Sequence, residues 1–193
     1  MTRKYRIVAI IGTSRPGNFT SKAMAIALDE FRAHDDVELD LIDAASLNLS
    51  PPGIPGGEED AQRLKERVLA ADGILFSTPE YHGSMCSVAK LIIENLGFPS
   101  TLSGKPIALF GVAAGSIGAI KALEQLRSVC SHVGALVLPG SVSIAKVRDV
   151  FDSEGNCKDP ASEKRVRGLV GSLLDYVRRH TCPLVTSEQM VRE

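Results

Sequence analysis

The residues best suited to bind a ligand lie in a loop between a short apolar run, Tyr5–Ile11, and a helical pattern. The side chains of this loop that can bind an anion are the hydroxyls of Thr13, Ser14, Thr20 and Ser21, the amide of Asn18 and the guanidinium of Arg15. Hydroxyl and amide groups donate hydrogen bonds and a guanidinium binds two oxygens at once, so this set suits a phosphate monoester. The helix N-terminus adds free backbone N–H groups and the positive end of the helix dipole. Gly17 is followed by Asn18, without the Lys-Ser/Thr of a Walker loop. A plain helix cap with a surface arginine is the alternative.

A second loop follows the apolar strand pattern Gly73–Thr78. Its residues are Pro79, Glu80, Tyr81, His82 and Gly83. We expect Pro79 to end the strand and Gly83 to allow an unusual backbone turn. The exposed N–H and C=O groups of such a loop match the acceptor–donor–acceptor edge of a flavin ring. The alternatives are a solvent-facing His82 and a Tyr81 that packs against protein.

A third loop, residues 111–118, consists almost entirely of small residues. Small residues let a flat ligand approach the backbone closely. The same glycines could also serve close packing of a strand against a helix.

The segments around these loops predict an α/β fold. Strand patterns cover Tyr5–Ile11, Val37–Asp43, Gly73–Thr78, Pro106–Ala113 and Ala135–Leu138. Helical patterns cover Thr20–Ala33, Glu59–Ala71, Ser87–Leu96, Ile117–Val133 and Ala161–Arg179. This alternation indicates a flavodoxin-like, three-layer α/β/α fold with a five-stranded parallel sheet in the order 2-1-3-4-5. Residues 1–180 form one predicted domain and residues 181–193 a C-terminal tail. Ligands bind at the carboxyl ends of the strands in such folds, where all three loops fall.

The composition excludes several classes of function. The chain has 193 residues, 23% of them charged, and a net charge of −1, which argues against binding nucleic acid through a basic surface. No apolar run approaches the roughly 18 residues of a membrane span, and no signal-peptide pattern follows Met1, so we expect a cytoplasmic protein without a membrane partner. The cysteines, Cys86, Cys130, Cys157 and Cys182, lie in no metal-binding pattern. We expect four reduced thiols and no metal site.

The loop motifs resemble those of the NADPH-dependent FMN reductase family. Residues 12–20 resemble its first-loop motif, G-S-x-R-x-x-S, and residues 78–81 match its T-P-E-Y. Residues 113–127 resemble its third loop and the helix that follows. The resemblance covers roughly residues 5–180. It implies FMN, an NADPH or NADH donor, a small-molecule electron acceptor, and a homodimer or homotetramer.

The resemblance also implies roles for individual residues. The FMN phosphate would be held by the first loop, in which the cofactor-binding residues are Thr13, Arg15, Asn18, Phe19 and Thr20. The isoalloxazine ring would be lined by Pro79, Glu80, Tyr81, His82 and Gly83, and approached on its pyrimidine side by Gly115 and Ser116. Thr13 and Asn18 replace the commoner serines, His82 replaces the Asn of many members, and Ala114 stands where many have proline or serine. No residue is assigned as catalytic.

The resulting hypothesis is an FMN-dependent NAD(P)H oxidoreductase with a ping-pong reaction, in which a quinone, flavin, azo compound or metal oxyanion is the acceptor. A flavodoxin-type electron carrier is one alternative, although the chain has no Trp, no aromatic residue in the third loop and little net charge. A reductase that uses FMN as a loosely bound substrate is another, and a protein-binding fold without cofactor is a third. We further expect the apolar helix Ser87–Leu96 to form a twofold dimer contact beside the flavin.

Overall fold

The computed structural model describes residues 4–181 of the chain. Within these residues, seven strands form a sheet at the centre of the molecule. The strands are β1 Tyr5–Ile11, β2 Val37–Asp43, β3 Gly73–Tyr81, β4 Ser84–Met85, β5 Pro106–Val112, β6 Leu136–Val137 and β7 Val142–Ile144. The main order is β2-β1-β3-β5-β6, with β4 beside β3 and β7 beside β5. All pairs are parallel except β3 with β4.

Six helices cover the two faces of the sheet. They are α1 Phe19–Arg32, α2 Glu58–Leu69, α3 Ser87–Glu94, α4 Ile120–His132, α5 Val147–Val150 and α6 Pro160–His180. Successive side chains of a strand point to opposite faces, and β1 follows this rule. Ile7, Ala9 and Ile11 pack in the cluster that contains α1 and α6. Val8 and Ile10 pack in the cluster that contains α2, α3 and α4. The predicted three-layer arrangement is therefore confirmed.

The predicted strand order is confirmed, but the fifth strand is divided. β6 pairs with the first residues of β5 and β7 pairs with its last residues, both in parallel. Pro139 and Gly140 lie between the two segments. Proline has no backbone N–H to donate to the sheet, which accounts for the interruption. The prediction began the fifth strand at Ala135–Leu138 and placed an interruption at Pro139 and Gly140, but it gave no bounds for a second segment.

The prediction that Pro79 ends the third strand is wrong, because β3 continues to Tyr81. Pro79 is aligned with Val112 of β5. The carbonyl of Ser77 accepts from Gly12 N–H at 2.9 Å, so residues 77 and 79 direct their backbone groups towards β1. Pairing with β1 stops at Ser77. The missing N–H of Pro79 therefore faces a side of the strand where no partner follows.

Other expectations concern the helices, the termini and the cysteines. α4 begins at Ile120 rather than Ile117, after Gly118 with a φ of +79°. No helix within residues 4–181 is long and apolar enough to cross a membrane. Cys86, Cys130 and Cys157 are free thiols, and burial raises the pKa of Cys130 to about 12. Cys182 and the predicted tail beyond Thr181 lie outside the described residues.

Candidate active site

The loops after β1, β3 and β5 meet in one cavity of about 380 Å³ at the carboxyl edge of the sheet. This volume lies within the range of small-molecule and cofactor sites. Its walls are residues 15–20 of the first loop, 79–81 of the second, 112–114 of the third, and the first two residues of α5, Val147 and Arg148. The sequence prediction that the three loops converge is borne out by this cavity.

The first loop is shaped by close approach to β3 and by a side-chain cap on α1. A Cβ atom on Gly12 would lie 2.5 Å from the Ser77 carbonyl oxygen, so only glycine fits there. Asn18 caps α1, because its side-chain oxygen accepts from the Ser21 N–H at 2.7 Å. Its amide nitrogen donates to the Arg15 carbonyl at 2.8 Å. Asn18 therefore holds the loop closed, and Phe19 and Thr20, in the first turn, keep N–H groups without a partner in the helix.

Thr20 has the most informative side chain of the cavity wall. The residue is 0% exposed, and its hydroxyl oxygen is buried without a hydrogen-bond partner within residues 4–181. Buried hydroxyls normally have a partner, since an unsatisfied one costs roughly 1–3 kcal/mol. The exposed Arg15 lies across the same loop, and its guanidinium contacts no acceptor within residues 4–181. An unused hydroxyl, an unused guanidinium and free helix N–H groups together form a site for an anion.

The second loop is a tight hairpin rather than an irregular loop. His82 and Gly83 have φ values of +51° and +73° and connect β3 to β4, as in the two-residue turns of β-hairpins. The Glu80 carboxylate accepts from the Ala122 N–H in the first turn of α4 at 3.0 Å. The Ser84 hydroxyl lies 2.6 Å from the side-chain oxygen of Gln125, also in α4. These contacts fix the hairpin relative to the helix that follows the third loop.

Seven of the twelve predicted site residues line the cavity, namely Arg15, Asn18, Phe19, Thr20, Pro79, Glu80 and Tyr81. Thr13 lies behind the first loop, where it is buried and its hydroxyl accepts from Arg15 N–H at 3.4 Å. His82, Gly83, Gly115 and Ser116 are not part of the cavity wall. The third loop contributes Val112, Ala113 and Ala114 to the wall, instead of the predicted Gly115 and Ser116.

Arg148 and Val147 are wall residues that the sequence interpretation missed. They follow β7, the second half of the divided fifth strand. One signal was present, since a loop after any parallel strand of this sheet opens at the same edge. The strand before this loop, β7, has only three residues, so the sequence pattern did not show where the loop begins.

A family model matches most of the chain. The model of NADPH-dependent FMN reductases matches residues 5–149. The chain belongs to this family. The matched range contains all residues that line the cavity of this reductase, from Arg15 in the first loop to Arg148 in α5.

Related proteins with described activities have similar lengths. An NAD(P)H-dependent FMN reductase of Pseudomonas aeruginosa is 31% identical over 93% of this chain and 98% of its own. A 2-hydroxy-1,4-benzoquinone reductase of Burkholderia sp. is 29% identical over 90% of this chain and 96% of its own. The solved structure of FerB, a flavoenzyme NAD(P)H:(acceptor) oxidoreductase from Paracoccus denitrificans, has a TM-score of 0.73 at 24% identity. That superposition covers 91% of this chain and 98% of FerB, and supports the fold.

The cavity of this reductase fits FMN. The buried, unpartnered Thr20 hydroxyl and the unpaired Arg15 suit a phosphate monoester. The small side chains of Ala113 and Ala114 leave the backbone of the third loop open to a flat ring.

Proposed function

We propose that this protein is an FMN-dependent NAD(P)H oxidoreductase with a quinone-type acceptor. The observation that carries the proposal is the buried Thr20 hydroxyl without a partner, on the wall of a cavity built by three family motifs. Bound FMN would supply two-electron chemistry between a nicotinamide donor and the acceptor. The protein supplies binding, orientation and electrostatics.

The first loop would bind the phosphate end of FMN. Arg15 would contribute a charge-assisted, two-point contact, and Thr20 a hydroxyl for which no protein group within residues 4–181 competes. The helix dipole of the 14-residue α1 favours negative charge at this end. Asn18 would act indirectly, since its side chain caps α1 and holds the loop in shape.

The second and third loops would bind the ring. Glu80 is anchored to α4 by its carboxylate, so residues 79–81 offer a fixed edge of backbone groups. The third loop presents Val112, Ala113 and Ala114, and none of these can cover the ring with an aromatic side chain. One face of the ring then stays accessible to nicotinamide and acceptor in turn.

The acceptor follows from the shape of this open face. Tyr81 is partly exposed beside it and offers an aromatic surface, and the third-loop wall, Val112, Ala113 and Ala114, is apolar and small. Such a surface suits a flat, conjugated ring more than a hydrated metal oxyanion. The Burkholderia relative reduces a benzoquinone, as its name states, which supports the same class.

Steady-state kinetics test this proposal. If donor and acceptor use one face in turn, double-reciprocal plots at several benzoquinone concentrations are parallel, and excess quinone inhibits in competition with NAD(P)H. Intersecting lines, with FMN required at substrate concentrations, would instead support the reading in which FMN is an exchangeable substrate. A quinone rate no higher than that with chromate would contradict the acceptor class.

We also propose a homodimer in the cytoplasm. Of the apolar side chains that suggested a contact, Ile92, Ile93 and Leu96 are buried within the subunit, whereas Val88 and Leu91 are partly exposed. Among the exposed apolar side chains of residues 4–181, Phe98 is the most exposed at 96%, and it lines a groove together with residues of α3 and α4. An exposed aromatic next to a groove is typical of an association surface. The free thiols of residues 4–181 support a reducing compartment.

A further inference from the structure

Arg148 lies on the wall of the FMN cavity, although it belongs to none of the three loop motifs. It is the second residue of α5, a four-residue helix whose Val147 and Val150 side chains are buried in the core. Lys146, just before it, has a φ of +46°, a conformation that a non-glycine residue rarely adopts. Backbone hydrogen bonds hold this turn against the third loop, from Lys146 N–H to the Gly115 carbonyl and from Val147 N–H to the Ala113 carbonyl, each 3.0 Å. The backbone of Arg148 is therefore held firmly at the cavity.

The segment that carries Arg148 also lies against the first turn of α1. The rings of Phe19 and Phe151 have centroids 6.3 Å apart. Lys22 in α1 donates to the carbonyl of Asp152 at 3.1 Å. These contacts bring the stretch from Arg148 to Asp152 to the same end of α1 that carries Thr20. Arg148 therefore belongs to a segment that lies against the first turn of α1 as well as against the third loop.

The charges around the cavity are unbalanced. Its wall contains two guanidiniums, Arg15 and Arg148, and one carboxylate, Glu80. The Glu80 carboxylate already accepts from Ala122 N–H. Within residues 4–181 neither guanidinium forms an ion pair or donates a hydrogen bond to another residue. Two cations on one cavity repel each other until an anion lies between them.

We propose that Arg148 is a second arginine for the FMN phosphate and determines how selectively this protein retains FMN. The inference rests on the proposed function and extends it. A phosphate monoester carries close to two negative charges at neutral pH, and two guanidiniums from opposite sides match that charge with four donors. A flavin held in this way stays bound between turnovers. Arg148 therefore favours FMN as a resident cofactor over FMN as an exchangeable substrate.

The experiment measures flavin binding directly, without turnover. FMN and riboflavin are titrated into flavin-free protein, and the quenching of flavin fluorescence gives both dissociation constants. For Arg148→Ala we expect the FMN constant to rise about 10- to 100-fold, the range of a charge-assisted hydrogen bond. The riboflavin constant changes less than about twofold, because riboflavin lacks the phosphate. Arg148→Lys should lie between wild type and Arg148→Ala, since it keeps the charge but loses the planar fork.

Controls separate this inference from the proposed function. Arg32→Ala removes an exposed arginine at the opposite end of α1 and should leave both constants unchanged. Circular dichroism melts check that each variant is folded. The Arg15→Ala, Arg148→Ala pair should show coupled losses, because both side chains bind one phosphate.

Several results would overturn the inference. Equal losses for FMN and riboflavin would make Arg148 a structural residue. An unchanged FMN dissociation constant in Arg148→Ala would show that Arg148 does not bind the FMN phosphate. The same would follow if the variant lost affinity only for NADP⁺ titrated into the FMN-loaded protein. If wild-type protein binds FMN no more tightly than riboflavin, the proposed function fails as well, whereas a wild-type preference that survives Arg148→Ala contradicts only the role of Arg148.

Discussion

At the scale of single residues, Thr20 connects stability with binding. Its hydroxyl is buried without a partner, so the flavin-free protein carries an unsatisfied polar group. Such a group lowers the free energy of unfolding by roughly 1–3 kcal/mol relative to an apolar side chain of the same shape. Thr101 has a hydroxyl in the same state away from the cavity, so it is the position of Thr20 on the cavity wall that points to a ligand.

Thr20→Val tests this interpretation through two opposite effects. The free energy of unfolding of the flavin-free protein should rise by about 1 kcal/mol, because valine has the same shape and no orphan hydroxyl. FMN should bind about tenfold more weakly, since one phosphate contact is lost. Urea unfolding and fluorescence titration measure the two effects.

Thr78→Val is the matched control. The Thr78 hydroxyl is also buried, but it accepts from Cys86 N–H at 3.0 Å and donates to the Pro79 carbonyl at 3.0 Å. The same substitution should therefore lower stability there. If Thr20→Val is as destabilising as Thr78→Val and leaves FMN affinity intact, Thr20 is an ordinary structural residue.

At the scale of elements, the sequence predicted the strands better than the loops. β1 and β2 have the predicted bounds, because each is a continuous or alternating apolar pattern that ends at turn residues. The predicted third strand ended too early, before Pro79. Proline was taken to end a strand because it lacks a backbone N–H, but the sequence does not show whether that N–H would face a partner strand. The backbone conformation of a loop decides which of its residues face a cavity, and the sequence does not show that conformation. In the third loop Ala113 and Ala114 line the cavity, whereas Gly115 and Ser116 do not.

The hairpin turn explains a departure from the family motif and gives a second prediction. His82 stands where many members carry Asn, and its φ of +51° is one that Asn adopts readily. His82→Asn should therefore leave the unfolding midpoint almost unchanged. His82→Val should lower stability by about 1–2 kcal/mol, because a branched Cβ is strained at positive φ. Equal midpoints for the Asn and Val variants would contradict this role of the turn.

The contact between β2 and α2 gives a prediction about pH. Arg67 donates to both carboxylate oxygens of Asp40, through Nε at 3.0 Å and Nη2 at 2.5 Å. This hydrogen bonding lowers the pKa of Asp40. A lowered carboxyl pKa stabilises the folded state above the unfolded pKa of roughly 4, and the stabilisation is lost as pH falls through the folded pKa.

Asp40→Asn should therefore cost about 1 kcal/mol of unfolding free energy at pH 7. The difference from wild type should shrink steadily below about pH 4, where Asp40 takes up a proton. Urea unfolding at several pH values measures both trends. A difference that stays constant down to pH 3 would show that ionisation of Asp40 is not the cause.

At the scale of the whole molecule, the apolar surface around Phe98 bears on assembly. Phe98→Asp should place a charge on the proposed dimer contact and weaken association at least tenfold. The groove beside it contains Ile93, Val129 and Val133, which stay apolar in this variant. Sedimentation of wild type and variant at micromolar concentration measures the change. A wild-type protein that sediments only as a 20.6 kDa species would contradict the dimer.

The general chemistry of the site was accessible from the sequence, and its final composition was not. Three loops after three parallel strands had to meet at one edge, so residues such as Arg15, Thr20 and Glu80 could be placed together in advance. Arg148 could not, because its position depends on the division of the fifth strand and on the turn at Lys146. The sequence also does not show that the Thr20 hydroxyl lacks a hydrogen-bond partner within residues 4–181, because this depends on the packing around it.

The central claim is that FMN in this cavity takes electrons from a nicotinamide, and anaerobic mixing tests it most directly. FMN-loaded protein is mixed with NADPH or NADH without oxygen, and absorbance near about 450 nm, where oxidised FMN absorbs, is followed in time. We predict complete bleaching with at least one nucleotide at a rate no slower than steady-state turnover, and full recovery on addition of benzoquinone. Bleaching that is slower than turnover with both nucleotides, or no bleaching at all, would contradict the account.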